Sequence, residues 1–170
     1  PSLAPFGDQV SVAAVNGPAM VVISGASNAV EQVAASFRSE GVETIPLNVS
    51  HAFHSPLMRP AAEAFSVALS QCHVRHPTMP VYCNVSAEAV RDAESAAILL
   101  VDQLTSPVRW VRVMETMCGD YPRVPVIEMG TGNVLCGLAK RIVPDVECFP
   151  VGMTTDVEKF MARFSSSSQA

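Results

Sequence analysis

Two histidines three residues apart, His51 and His54, lie in the stretch Val49-Ser50-His51-Ala52-Phe53-His54-Ser55-Pro56-Leu57-Met58. Histidine is the side chain best suited to taking up and returning a proton near neutral pH. The stretch falls between the expected end of a strand and the expected start of a helix, where open α/β sheets place their ligands. A second group, Cys72, His73, His76 and Cys83, contains metal-capable side chains. Its spacing does not match the two close pairs of a zinc site, and no metal is expected there. A nucleophile elbow of the form G-x-S-x-G is absent, since neither Ser24-Gly25 nor Gly25-Ala26-Ser27-Asn28 fits it.

The elements that must position these residues can be read from periodicity. Residues 1–9 form an irregular lead-in. Val10 to Val15 and Met20 to Ile23 are β-type runs joined through Asn16-Gly17, a hairpin signal. Ser27 or Asn28 caps a helix, with Glu31 placed to bond back to the first N–H groups. Val30, Val33, Ala34 and Phe37 share its core face, and Gly41 ends it. Val42 to Val49 reads as another strand. The result is strand–strand–helix–strand, a small α+β layer without an opening strand and helix.

Past His54 the pattern changes. Ser55-Pro56 opens a helix whose apolar face is Leu57, Ala61, Ala64, Phe65, Ala68 and Leu69, with Pro60 distorting its first turn. Pro80 to Val85 reads as a short buried strand and residues 92–104 as an apolar helix broken by Ser106-Pro107. A helix from about Arg109 to Met117, a strand from Val124 to Met129, the loop Gly130-Thr131-Gly132 and a helix over 133–142 follow. Strands alternating with helices predict an α/β fold with a mainly parallel sheet flanked by helices. Residues 153–170 are expected to form a C-terminal helix and a disordered Ser-rich tail over Ser165–Ser168.

Composition narrows the function classes. The 170 residues are 49% apolar and 16% charged, with a net charge of −5. Nothing in that balance neutralises a phosphate backbone, so nucleic acid is not an expected partner. No apolar run approaches the roughly 18 residues of a membrane span. The low charged fraction fits an Ala/Val-rich core or a fragment whose apolar faces meet a neighbour. Five cysteines, several inside apolar runs, predict buried reduced thiols. The chain opens Pro1-Ser2, so a targeting segment upstream of it is invisible.

The stretch around His54 resembles the histidine motif of the malonyl/acyl-transferase family, found in stand-alone fatty-acid transacylases and in polyketide synthases. Three further stretches match in the same order. They are Val15-Asn16-Gly17-Pro18 leading into Val21-Val22-Ile23-Ser24-Gly25, Gln103-Leu104-Thr105-Ser106-Pro107-Val108-Arg109-Trp110, and Glu128-Met129-Gly130-Thr131-Gly132-Asn133-Val134-Leu135. The resemblance covers residues 10 to 150. Thr131 stands where the family usually has proline, which alters loop stiffness rather than chemistry.

The resemblance implies a Ser-His ping-pong transfer of malonyl from malonyl-CoA to the phosphopantetheine thiol of acyl carrier protein. Coenzyme A thioester is then a substrate, and no cofactor is permanently bound. His54 is the implied general base, and the backbone carbonyl that orients it maps onto Gln103. The sequence supplies a reason for that carbonyl to be free: its helical partner would be residue 107, which is proline and has no N–H. On spacing alone, Gln103 equally well just ends a helix. Phe53 resembles the residue that excludes methylmalonyl in malonyl-selective relatives, by collision with the α-methyl. His51 belongs to the same substrate-facing motif. Asn16 either reaches the active site, as its counterpart does in relatives, or is a plain turn residue.

The serine, the carboxylate-binding arginine and an oxyanion-hole glutamine lie upstream in relatives. The implied division is therefore a partial ferredoxin-like subdomain over 10–50 and the C-terminal part of an α/β-hydrolase-like acyltransferase core over 51–152. An N-terminal segment of the same transacylase is the expected partner, in the cytoplasm or in an organelle reached by a transit peptide. The alternative is a non-catalytic fragment that retains carrier-protein or partner binding.

Overall fold

The computed structural model describes residues 2–165. It is a mixed α/β structure in two compact units, one up to Val113 and the other from Met114.

In the first unit a 3-10 segment, Ala4–Gln9, leads into β1 (Val10–Gly17), which pairs antiparallel with β2 (Met20–Gly25). The turn is Pro18-Ala19, not Asn16-Gly17, because the ladder continues to Gly17 opposite Met20. Register shifts between Val12 and Ala14 and between Val15 and Gly17 leave Asn16 in an irregular part of the strand. The outer edge of β1 is bridged by Val108, which exchanges hydrogen bonds of 2.8 and 2.9 Å with Ala13 and Val15. Gly25 is obligatory, since a Cβ there would collide with the Gln9 carbonyl that accepts from Ala26 N–H.

Helix α1 (Ser27–Ser39) is preceded by Ala26 as N-cap, with no side-chain cap, so neither Ser27 nor Asn28 does that work. Glu31 pairs instead with Arg38 at 2.6 Å. Its core face is as expected: Ala29 and Val33 are buried against Val10, with Val30, Phe37, Ile23 and Phe6 around them. Gly41, at φ +81°, terminates the helix while Val42 N–H bonds to the Phe37 carbonyl at 3.0 Å. Residues 42–49 then form no strand. A period of two supplies only the side-chain pattern, and a ladder also needs a neighbouring strand.

A 3-10 turn, Pro56–Met58, precedes α2 (Arg59–Ser70), so the proline-rich opening is split into two helical pieces. The expected apolar face of α2 is only partly covered: Ala62 is buried, Phe65 and Leu69 are half-buried, and Leu57, Ala61, Ala64 and Ala68 are exposed. Pro80 to Val85 contributes a single bridge, Tyr82 to Ala89, rather than a strand. Helix α3 (Ala93–Asp102) begins with a capping box in which Asp92 accepts from Ser95 N–H at 2.7 Å. Those contacts, the Ser95 backbone bond foremost, hold the Asp92 carboxyl below its usual range. Helix α4 (Trp110–Asp120) follows.

In the second unit, β3 (Val126–Met129) and β4 (Cys148–Val151) form a parallel pair connected through α5 (Val134–Ile142). Strand β4 carried no signal strong enough to be read. Cys136 on α5 and Cys148 on β4, both buried and with Cα atoms 5.4 Å apart, are joined as a disulfide. This corrects the expectation of reduced thiols throughout, because the crossover brings together cysteines 12 positions apart. Cys72, Cys83 and Cys118 are free, and burial raises the Cys118 thiol above its ordinary range. Helix α6 (Thr154–Ser165) closes the unit, with Phe160 edge-on to Phe149 of β4 at 5.5 Å. The rest of the expected serine-rich tail, 166–170, lies outside the described residues. No helix among the described residues is long and apolar enough to cross a membrane.

Candidate active site

The backbone turns sharply at His54, whose φ of +59° lies in the left-handed region. Non-glycine residues seldom enter that region, and those that do cluster at functional sites. The turn is held by Ser55, a fully buried residue whose hydroxyl donates to the Ala52 carbonyl at 2.7 Å. Met58 N–H then bonds to the Ser55 carbonyl at 3.0 Å, locking the 3-10 turn that follows.

The half-buried imidazole of His54 meets the C-terminal end of α3. Its Nδ1 stands 2.8 Å from the backbone oxygen of Gln103. A carbonyl oxygen only accepts, so Nδ1 carries the proton in this contact and the lone pair of neutral imidazole lies on Nε2. Gln103 is the C-cap of α3, and the turns after it tighten: Leu104 N–H bonds to Val101 and Thr105 N–H to Asp102, each at 3.2 Å. With proline at 107 there is no i+4 donor for the Gln103 oxygen.

A cavity of about 250 Å³ opens beside this pair, lined by Phe53, His54, Met58, Gln103 and Leu104. Its wall is mostly apolar, with the imidazole as its ionisable group. Phe53 is thus brought to the histidine. His51 is exposed and stacks obliquely on Phe53 with ring centroids 5.8 Å apart, while Ser50 Oγ lies 2.9 Å from its Nδ1. His51 is not among the residues lining the cavity. Asn16, half-buried in β1, is not among the lining residues.

Met58 and Leu104 were missed by the sequence reading as lining residues, although both fall within the stretches that carry it. Their signal is adjacency: Leu104 follows the residue whose carbonyl accepts in the contact, and Met58 ends the 3-10 turn one helical turn beyond His54. The alternative metal group is not assembled, for no cluster of three or more metal-capable side chains occurs among the described residues.

In the second unit, the loop Gly130-Thr131-Gly132 has both glycines at positive φ, +127° and +108°. The Glu128 carboxylate reaches from β3 across this loop and accepts from the N–H groups of Leu135 at 3.0 Å and Cys136 at 2.8 Å.

The acyl transferase domain family matches residues 2–166. The malonyl CoA-acyl carrier protein transacylase of Haemophilus influenzae is 41% identical over 157 residues, covering 92% of this chain and 49% of that protein. The crystal structure of the Xanthomonas oryzae malonyl-CoA:acyl carrier protein transacylase superposes with a TM-score of 0.86 at 31% identity, covering 91% of this chain and 49% of that one. A malonyl-transacylase in complex with its type II polyketide-synthase acyl-carrier protein gives 0.86 at 34%, covering 92% and 51%. The chain spans about half the length of these relatives. With the family match running through nearly all of its residues, the chain belongs to the acyl transferase domain family.

Proposed function

We propose that this chain is the histidine-bearing part of a malonyl-CoA:acyl-carrier-protein transacylase. The observation that carries the reading is the 2.8 Å contact between His54 Nδ1 and the Gln103 carbonyl. It leaves Nε2 as a base of fixed tautomer and orientation, which is what an activated nucleophile requires.

The reaction runs in two halves. A serine outside this chain gives its proton to His54 Nε2 while its oxygen bonds to the malonyl carbonyl carbon. The carbon–sulfur bond then breaks, and the imidazolium returns the proton to the departing coenzyme A thiolate. In the second half the phosphopantetheine thiol of acyl carrier protein loses its proton to the same Nε2 and takes the malonyl group, and the serine is reprotonated. The Gln103 carbonyl, being neutral, orients the ring by its dipole. Base catalysis of this kind is worth about 10²- to 10⁴-fold. The names of the relatives, and the carrier-protein complex among them, support the substrate and partner. The coenzyme A thioester is a substrate, free coenzyme A is released, and no resident cofactor is required.

A second reading is favoured by one observation, the absence of G-x-S-x-G from the sequence. On it, the chain is a non-catalytic fragment that binds a carrier protein or another partner. Weighing the intact natural protein separates the two. The transacylase reading needs a serine elbow in a longer polypeptide or a co-purifying chain. It also needs residues 1–170 alone to give no malonyl transfer, and turnover by that chain as a folded monomer overturns it.

A further inference from the structure

Ser55 stands at the N-cap of the 3-10 turn Pro56–Met58, yet its hydroxyl makes no capping bond. A serine in that place ordinarily accepts from an N–H of the turn that follows it. Here Met58 N–H goes to the main-chain oxygen of Ser55 at 3.0 Å, and Pro56 has no N–H to offer. The hydroxyl turns the other way and donates to the Ala52 carbonyl at 2.7 Å. It does so from full burial, the residue being 0% exposed.

That bond closes a ring around Phe53 and His54, and both of these side chains line the cavity beside the Gln103 carbonyl. His54 lies in the left-handed region at φ +59°, which an L-residue keeps only where its surroundings hold it there. Ser55 itself is extended, at φ −129° and ψ 162°, the conformation a following proline imposes. Pro56 therefore fixes the backbone just after His54, and the Ser55 hydroxyl fixes it just before Phe53. Through its main-chain oxygen Ser55 also holds Met58, a third lining residue. The other two, Gln103 and Leu104, come from the end of α3 and the turn after it.

We infer that Ser55 is a positioning residue for acyl transfer: its hydroxyl, bound to the Ala52 carbonyl across Phe53 and His54, holds the turn that presents His54 Nδ1 to Gln103. The inference rests on the reading of the chain as part of a transacylase. Ser55 is not among the cavity-lining residues and acts only through His54. Without its hydroxyl the Ala52 oxygen loses its donor, and the His54 backbone is free to leave the left-handed region. The ring then parts from the Gln103 oxygen, and Nδ1 and Nε2 compete for the one proton of the neutral imidazole. A misplacement of about 1 Å in such a group costs about 100-fold in rate.

Ser55→Ala in the natural full-length protein tests this, read by malonyl-transfer kinetics and by the nitrogen NMR shifts of the His54 imidazole. kcat should fall about 10- to 100-fold while KM for malonyl-CoA changes less than about twofold, because the loss lies in the base and not in substrate binding. The nitrogen shifts, which in the neutral wild-type ring should show Nδ1 protonated and Nε2 bare, should move to a mixture of the two tautomers. Ser55→Cys keeps a small side chain with a weak donor and should fall between the two. Ser70→Ala removes a hydroxyl–carbonyl bond of the same 2.7 Å length, to Val67 at the end of α2, and should change neither readout. A lower Tm for Ser55→Ala with unchanged kcat or unchanged tautomer makes Ser55 structural only and overturns the inference. If Ser55→Ala does not fold, Ser55→Cys decides, and wild-type kcat and tautomer there overturn it. A full-length wild-type protein without malonyl transfer removes the transacylase reading, and the tautomer of the variants still decides whether Ser55 holds His54.

Discussion

His54 and Gln103 are 49 residues apart in sequence, yet the imidazole Nδ1 donates to the backbone oxygen of Gln103 at 2.8 Å. One residue is held by a left-handed turn and the other by the end of a helix that proline prevents from continuing. Neither depends on the other's side chain to be in place.

Replacement of His54 should remove malonyl transfer in the full-length transacylase, with a loss of at least about 10²- to 10⁴-fold. His54→Asn is the better variant than His54→Ala, because asparagine tolerates a φ of +59° more readily. His51→Ala should retain most activity. Near wild-type rates for His54→Asn together with an inactive His51→Ala would move the base to His51.

Gln103 meets His54 through its main chain, so on the transacylase reading Gln103→Ala should cost far less than His54→Asn. Pro107→Ala is the sharper experiment. It restores an N–H able to compete for the Gln103 oxygen, and a neutral hydrogen bond of about 1 kcal/mol corresponds to about fivefold in rate. The loss should fall on kcat and be accompanied by a shifted pH profile. An unchanged profile would make the carbonyl irrelevant to the histidine.

Phe53 is one of the residues lining the cavity beside His54, and the transacylase reading has its ring exclude an α-methyl on the substrate. Phe53→Ser should raise kcat/KM for methylmalonyl-CoA relative to malonyl-CoA by about 10- to 200-fold, corresponding to 1–3 kcal/mol. A constant ratio would assign selectivity elsewhere.

Asp92 offers a pH test of the helix that carries Gln103. Its folded-state carboxyl titrates below its ordinary value, so the stability it contributes is present above that ordinary value and is lost as pH falls through the depressed one. Asp92→Ala should lower Tm at neutral pH and have little effect in strong acid. A Tm difference that persists in acid would show that the carboxylate is not the source.

The elements that were legible in the sequence are those specified locally. Helix α1 announced itself by Val30, Val33 and Phe37, and α3 by an apolar run with Ser106-Pro107 beyond it. The Gln103 contact followed from the family resemblance, with the missing N–H of Pro107 as its physical reason, whereas the left-handed turn at His54 was not read. What escaped is set by distant partners. Val42 to Val49 has the alternation of a strand but no neighbour to pair with. The β1–β2 turn slipped two residues because Asn16-Gly17 is a good turn pair that the ladder absorbs. Strand β4 is only four residues long, and the Cys136–Cys148 bond depends on a crossover that no spacing rule reveals.

The Glu128 contacts bear on what the glycine loop can hold. A glycine loop running into a helix N-terminus is an ordinary cradle for phosphate, because the first amides and the helix dipole both attract an anion. In this chain that seat is already taken: the protein's own carboxylate occupies the Leu135 and Cys136 amides at 3.0 and 2.8 Å. A phosphate arriving there would meet negative charge rather than free donors. The Gly130-Thr131-Gly132 loop is therefore self-neutralised, and its glycines serve the fold by letting a strand carboxylate cap the next helix.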